Sequence, residues 1–161
     1  MKNKFIFFLT VYLFFNINCH NVAAEEFIFE SEVIEITNNG NKIQAKNSVK
    51  VSTKNNIEIT ADESTYDKIK LILSLIGNIK IIDQENNIKI SGEDITYYKN
   101  KEKIISKGST TININGEYLI NTSDIIYLKK ENIIKSEKVA TLKDNFENKF
   151  STENFTYSVL D

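Results

Sequence analysis

Several residue types are absent from the chain or very rare in it. Its 161 residues include no proline, no tryptophan, one cysteine and one histidine, and all 20 of its basic residues are lysine. The formal net charge is −2, so the chain lacks the basic excess with which proteins capture nucleic acid. We therefore expect no nucleic-acid partner.

The N-terminal segment has the pattern of a secretory signal peptide. Lys2 and Lys4 form a short positive region, and the 11-residue apolar run FIFFLTVYLFF (residues 5–15) follows. Small residues occupy the −3 and −1 positions before Glu25, as cleavage sites require. The run is too short to cross a bilayer, which takes about 20 apolar residues. We therefore expect residues 1–24 to be a cleaved signal peptide.

Cleavage would have a chemical consequence for the mature chain, residues 25–161. Cys19 and His20 would leave with the signal, so the mature chain would have no thiol and no imidazole. Nucleophile systems that need His or Cys are then excluded, and zinc and copper sites lose their usual ligands. We expect no enzyme, no metal site and no cofactor. A lipid anchor on Cys19 and an uncleaved N-terminal anchor stay open as alternatives.

Apolar and polar residues alternate along the mature chain, and helical periodicity is almost absent. A period of two is typical of half-buried strands, and Ile, Val, Thr and Tyr, which suit a pleated surface, dominate these runs. Pairs such as Asn–Asn and Asn–Gly separate the runs and have the chemistry of tight turns. The sequence predicts an antiparallel all-β meander.

A unit of about 30 residues recurs in this meander. The stretches NNIEITADESTYDK (residues 55–68) and NNIKISGEDITYYK (residues 86–99) keep their aliphatic residues and their tyrosine. Tyrosines recur at intervals of 31, 30 and 30 residues, at Tyr66, Tyr97, Tyr127 and Tyr157. One unit cannot bury its own apolar face, so we expect stacked units whose equivalent side chains line up in ladders. Such a stack can close over its own side chains or stay partly open around an apolar groove.

The repeated pattern resembles the OstA-like family of lipopolysaccharide transport proteins. The resemblance lies in I-x-I-x-A-D-x-x-x-Y, then GN-x-x-I, then I-x-I-x-G-x-x-I-x-Y, and covers residues 43–127. The residues that carry it are Ile57, Ile59, Ala61, Asp62, Tyr66, Gly77, Asn78, Ile79, Ile81, Ile88, Ile90, Gly92, Ile95 and Tyr97. The family includes the periplasmic bridge protein LptA and the N-terminal periplasmic domain of the outer-membrane protein LptD. The opening FIFESEVIEITNNGNKI (residues 27–43) is more similar to the LptD type.

The resemblance implies an open antiparallel β-jellyroll in the periplasm, at the outer membrane. Its apolar groove would shield the acyl chains of lipid A during lipopolysaccharide transport. The implied partners are lipopolysaccharide, other Lpt-type β-jellyroll proteins that pair through edge strands, and an outer-membrane complex. The alternative function is a structural or adhesive β-repeat protein of the cell envelope that binds no lipid.

The predicted groove residues share alternation and recurrence at fixed offsets. We predict that the inward, lipid-binding face carries Ile57, Ile59, Ile79, Ile81, Ile88, Ile90, Ile112, Ile114, Tyr118 and Ile120. The third unit departs from the pattern, with Thr122 in place of Ala or Gly and Lys138 in place of Gly. The groove is therefore expected to weaken there.

Acidic residues and tyrosines also recur in the units. Asp62, Glu93 and Asp124 follow the small residue or lie close to it, and we interpret them as solvated edge and turn positions. Stacked carboxylates could instead bind calcium or form the acid and base of a glycosidase. The tyrosines are interpreted as packing residues, with stacking on sugars as the alternative.

A fourth unit begins at NKFSTENFTY (residues 148–157), and the sequence ends four residues after its tyrosine. The aliphatic strand that follows the tyrosine in each earlier unit is missing. We therefore expect the last ten or so residues to be poorly packed. We also expect the natural gene to encode at least one more strand and an outer-membrane barrel.

Overall fold

A computed structural model describes residues 27–158 and shows an antiparallel all-β chain, as the sequence predicts. The predicted signal peptide lies outside the described residues. In chain order the strands are β1 (Ile28–Glu30), β2 (Val33–Thr37), β3 (Lys42–Ser52), β4 (Ile57–Asp67), β5 (Ile72–Asp83), β6 (Ile88–Tyr98), β7 (Lys103–Lys107), β8 (Ser109–Ile114), β9 (Tyr118–Ser123), β10 (Ile126–Leu128), β11 (Ile133–Ser136), β12 (Ala140–Asp144), β13 (Lys149–Thr152) and β14 (Phe155–Ser158). Short 3₁₀ helices occupy Lys99–Lys101 and Lys129–Glu131. No helix within residues 27–158 has the length and hydrophobicity needed to cross a membrane.

The long strands bend near their middles, so that each contributes to two half-sheets. A β-bulge inserts a residue and bends the strand that carries it. Shifts in the pairing register mark these bends at residues 46–49 of β3, 60–63 of β4 and 76–79 of β5. Further along the chain, the bends fall between β7 and β8 and between β9 and β10, where the strands are interrupted.

The two half-sheets are named here after the residues that dominate their inward faces. The isoleucine half-sheet contains β1, the second half of β3, the first half of β4, the second half of β5, the first half of β6, and β8, β9, β12 and β13. The tyrosine half-sheet contains β2, the remaining halves of β3 to β6, and β7, β10, β11 and β14. The resulting 14-stranded sheet does not close into a barrel within the described residues.

Residues at equivalent positions of the repeat form continuous ladders, as predicted. Direct pairing partners across the isoleucine half-sheet are Phe29, Val51, Ile59, Ile81, Ile90, Ile112, Ile120, Leu142 and Phe150. Those across the tyrosine half-sheet are Ile36, Ile43, Tyr66, Leu73, Tyr97, Ile104, Tyr127, Ile134 and Tyr157. The first ladder crosses the third unit without a shift in register, although Thr122 and Lys138 depart from the pattern there.

The recurring acidic residues have a structural role at the bends. Glu93 accepts a hydrogen bond of 3.1 Å from the backbone N–H of Asn78, and the side-chain amide of Asn78 donates one of 2.8 Å to Asp62. Asp124 accepts a hydrogen bond of 2.8 Å from the N–H of Gly108. The described part of the chain contains no group of three or more acidic, His or Cys residues that could hold a metal ion.

Both ends of each half-sheet are edges. Within the described residues, β1 and β2 pair only with β3, β13 pairs only with β12, and β14 pairs only with β11. Strand β13 is exposed along its whole length, and the Phe150 side chain is 60% exposed. Phe155, one of the last ten residues that were expected to be poorly packed, is partly buried against the core.

Candidate functional site

The ten predicted groove residues lie together in the isoleucine half-sheet, in successive rows across its strands. The central row of the ten contains Ile59, Ile81, Ile90, Ile112 and Ile120. The row beside the turns contains Ile57, Ile88, Ile114 and Tyr118, with Asp83 between the first two. Ile79 lies next to the bend, opposite Gly92.

These residues form the interior of the molecule. The nine isoleucines are at most 1% exposed, and Tyr118 is partly buried against the same core. Their neighbours along the strands alternate outward, so that Glu58 and Lys89 are exposed. The space between the half-sheets is therefore occupied by the chain's own apolar side chains, and an incoming acyl chain would have to displace contacts among them.

The sequence-based selection identified only one wall of this interior. The opposite wall, in the tyrosine half-sheet, includes the fully buried Leu73, Leu75, Ile95, Ile104, Ile125 and Ile134. A signal for part of this wall exists in the sequence, because Leu73, Ile104 and Ile134 each lie seven residues after a repeat tyrosine. The alternation of apolar and polar residues identifies an apolar face of a strand. It does not show that one bent strand contributes an apolar face to each of the two half-sheets.

The tyrosine ladder belongs to the core. Tyr66, Tyr97 and Tyr127 are 5%, 3% and 0% exposed, so their rings are not accessible to sugars. The interpretation of these tyrosines as packing residues is thus confirmed for the first three. The fourth, Tyr157, is partly buried, and its ring centroid lies 6.5 Å from that of Tyr118 in the opposite half-sheet.

Contacts between the half-sheets close the long side opposite the bends. We call this side the rim; it is formed by the turns at residues 53–56 and 84–87 of the isoleucine half-sheet and by the 3₁₀ segments of the tyrosine half-sheet. Near β1, the Phe27 ring lies 4.8 Å from the Tyr66 ring, and the Lys99 ammonium lies 4.9 Å from the Phe27 ring centroid. Further along, the Asn55 amide donates a hydrogen bond of 3.4 Å to Glu102.

A buried ionic cluster forms the most polar contact across the rim. The Asp83 side chain is 1% exposed and the Lys129 side chain 5%, and Lys129 Nζ lies 2.9 Å from both Asp83 carboxylate oxygens. The Tyr127 hydroxyl donates a hydrogen bond of 2.7 Å to Asp83. Lys129 Nζ also lies 2.7 Å from Glu85, and the Asn86 amide donates to both Tyr127 and Asp83. Asp83, Glu85 and Asn86 belong to the isoleucine half-sheet and its turn, whereas Tyr127 and Lys129 belong to the tyrosine half-sheet.

The cluster favours its ionised form. Burial disfavours the charge on Asp83, but hydrogen bonds from Tyr127, Lys129 and Asn86 outweigh it, so that the pKa of Asp83 is lowered. Burial also disfavours the charge on Lys129, but Glu85 and Asp83 outweigh it and raise the pKa of Lys129. Burial, together with the hydrogen bond to Asp83, raises the pKa of Tyr127 above its ordinary value of 10.0. Asp83 is thus a carboxylate and Tyr127 a neutral donor at neutral pH.

Two comparisons with known proteins found matches. The model of a family described as "LptA/(LptD N-terminal domain) LPS transport protein" matches residues 18–103. Among solved structures, the fold is similar to that of LptH from Pseudomonas aeruginosa, described as the LptA homologous periplasmic component of the conserved lipopolysaccharide transport device. The TM-score is 0.63 at 12% identity, with 80% of this chain and 94% of LptH covered. A comparison with curated proteins found no match.

Proposed function

The chain belongs to the LptA/LptD N-terminal-domain family of lipopolysaccharide transport proteins, and from this premise we propose that it shields lipid A acyl chains between its two half-sheets. The observation that carries the proposal is the isoleucine ladder, whose members from Phe29 to Phe150 are all apolar. Such a row places no polar group against the acyl chain, where it would be buried without a hydrogen-bond partner at a cost in free energy.

The length of the ladder suits this task. Neighbouring strands lie about 4.8 Å apart, so the row from β1 to β13 extends roughly 38 Å. The hydrocarbon core of a bilayer is about 30 Å thick, which leaves about half of that for the acyl chains of one leaflet. Hiding an acyl chain from water is worth about 0.8 kcal/mol per CH₂ group. The interior is long enough to cover a chain along its whole length, provided that the half-sheets separate to admit it.

We further propose that the free edges bind neighbouring β-jellyroll proteins. Unpaired rows of N–H and C=O groups recruit partner strands, and residues 27–158 form such edges at both ends of the sheet. Val33, Ile34 and Ile36 of β2 are 48%, 45% and 62% exposed, which is typical of an edge that a partner covers. The N-terminal edge would bind an upstream bridge protein, and the chain would deliver its lipid towards an outer-membrane complex.

The proposed place of work is the periplasm, at the outer membrane. Export through a signal peptide that is cleaved before Glu25 would deliver the chain there. The mass of the exported protein tests this step, because cleavage at the predicted site removes residues 1–24. A mature protein that retains Cys19 with an attached lipid would support the lipoprotein alternative.

Titration of the purified chain with a fluorescent lipopolysaccharide tests the central function. We expect saturable binding that unlabelled lipopolysaccharide competes away and that a lipid-free core oligosaccharide does not. Absence of binding, together with a cooperatively folded chain, would contradict the proposal and favour the structural or adhesive β-repeat alternative.

A further inference from the structure

We propose that the Asp83–Tyr127–Lys129 cluster is a latch that holds the rim closed and separates to admit acyl chains. This inference rests on the proposed function, because it specifies how lipid reaches the interior. Its starting point is the position of Asp83 in the isoleucine half-sheet. The carboxylate lies between Ile57 and Ile88, in a row whose next members, Ile114 and Tyr118, pack into the core.

The latch connects the two half-sheets at a single place through several bonds. Asp83 accepts a hydrogen bond of 2.7 Å from the Tyr127 hydroxyl and one of 2.9 Å from the Lys129 ammonium. Both donors belong to the tyrosine half-sheet. Asp83 also accepts hydrogen bonds of 3.1 Å and 3.3 Å from the N–H groups of Glu85 and Asn86, which fold the turn of its own half-sheet over the contact. Two turns that are more than 40 residues apart in sequence are thus fixed to each other.

Asp67 provides a comparison within the same chain. It also closes a turn, with backbone N–H groups at 3.0 Å and 2.9 Å from its carboxylate. Its salt bridge, however, is with Lys70 on the same turn, at 3.7 Å, and both side chains are substantially exposed. Closing a turn therefore does not require the burial and the partners from the opposite half-sheet that Asp83 has.

The chemistry of the latch suits a contact that must open. An apolar seam would expose its surface to water on separation, and this exposure is unfavourable in proportion to its area. A buried ion pair recovers hydration when it separates, and this recovery offsets much of the lost attraction. The latch can therefore specify the closed arrangement without making it hard to leave.

Opening is required because the interior is full. The isoleucines of the central row are at most 1% exposed, so lipid must enter through the rim or through the ends of the half-sheets. The rim offers simultaneous access to several rows, whereas an end would require the acyl chains to thread beneath every strand in turn. If lipid binds only the open form, its association rate is proportional to the fraction of molecules that are open. A weaker latch raises this fraction and should therefore speed the uptake of lipid.

Two opposite variants test the latch, both in a Cys19→Ser background. Tyr127→Phe removes one hydrogen bond to a buried carboxylate and should raise the association rate of fluorescent lipopolysaccharide about tenfold. Tyr98→Phe, which changes a tyrosine that is not part of the cluster, should leave the rate unchanged.

Asn55→Cys with Glu102→Cys, joined by a short bis-maleimide, should lock the rim and slow uptake at least tenfold, since these side chains are 3.4 Å apart across it.

The matched cross-link lies within one half-sheet. Thr111 and Asn121 are paired on β8 and β9 of the isoleucine half-sheet, with their side chains 3.0 Å apart, so joining cysteines at these positions leaves the rim free and should not slow uptake. Equal uptake by the rim-locked and control cross-linked proteins would overturn the latch proposal while leaving lipid binding, and hence the proposed function, intact.

A distance measurement tests the latch independently of lipid uptake. Nitroxide labels at Lys54→Cys and Lys130→Cys, which are exposed positions on opposite sides of the rim, report its width. We expect Tyr127→Phe to shift the distance distribution to longer values without lipid, and saturating lipopolysaccharide to do so in the otherwise unchanged chain. An unchanged distribution in Tyr127→Phe would overturn the latch even if the chain bound no lipid at all.

Discussion

The Tyr127 hydroxyl donates a hydrogen bond of 2.7 Å to the Asp83 carboxylate. Tyr127 lies in the opposite half-sheet, 44 residues further along the chain. The bond brings a repeat tyrosine and a turn-closing aspartate into one buried cluster with Lys129. The tyrosine ladder is thus a wall of the interior, and at Tyr127 it also provides a hydrogen bond across the rim.

Replacing Lys129 should destabilise the fold. Lys129→Met leaves the buried Asp83 carboxylate without its cation, and breaking such a pair from one side typically costs about 3 kcal/mol of the free energy of unfolding. Urea unfolding measures the loss. Lys70→Met is the matched control, because the Lys70–Asp67 pair is largely exposed and such pairs contribute less than about 1 kcal/mol. Equal losses in the two variants would contradict the account of the cluster.

Acid should weaken the fold through Asp83. Because hydrogen bonds outweigh burial and lower the pKa of Asp83 below its ordinary value of 3.8, the folded chain binds fewer protons than the unfolded chain near this pH. The stability that Asp83 contributes is therefore present above about pH 4 and is lost as pH falls through its folded pKa. Urea midpoints measured from pH 6 down to pH 2 should show this loss.

Asp83→Asn is the control for the acid transition. It should remove part of the acid-dependent loss and leave the part due to other carboxylates. Asp67 and Asp144 are two of these, since hydrogen bonds from Lys70 and Asn148 lower their pKa values as well. An Asp83→Asn protein with an undiminished acid transition would assign the whole effect to such surface carboxylates.

Gly77 should be the glycine least tolerant of alanine among those with positive φ. Its φ is +77°, and an added Cβ would collide with the Asp62 carboxylate at the bend of β5. Gly77→Ala should combine about 1–2 kcal/mol of left-handed backbone strain with about 1 kcal/mol for the hydrogen bond from Asn78 to Asp62, which is lost when the carboxylate moves away from the new methyl group. Gly40→Ala is the control, because Gly40 has φ +83° but open space around it. Thermal unfolding that ranks the two variants equally would contradict the collision.

The sequence predicts the strands and ladders well, because period two and a fixed repeat are local signals. Ile59, Ile90 and Ile120 are repeat equivalents, and they lie in one row because the strands between them pair in register. The latch could not be predicted in the same way. Asp83 stands in a turn-like stretch, and its partners Tyr127 and Lys129 come from another unit, brought near only when the bent strands fold the half-sheets together.

Proline in β2 should abolish binding to a neighbouring β-jellyroll protein. Ile34→Pro removes a backbone N–H and disturbs the edge, whereas Ile34→Thr keeps both the N–H and a β-branched side chain. Binding of an Lpt-type β-jellyroll partner, measured by surface plasmon resonance, should be lost in the first variant and retained in the second. Retained binding in the proline variant would exclude this edge, and amide hydrogen exchange would show that residues 55–130 stay folded.

Site-specific photo-crosslinking is the most direct measurement of whether lipid lies between the half-sheets. A diazirine amino acid of aliphatic size is placed at Ile59 or Ile90, and at the adjacent outward positions Glu58 or Lys89 as matched controls. If lipid lies between the half-sheets, lipopolysaccharide is captured at Ile59 and Ile90 and not at Glu58 and Lys89. Equal capture at the inward and outward positions, or capture at the outward positions alone, would contradict this placement of the lipid.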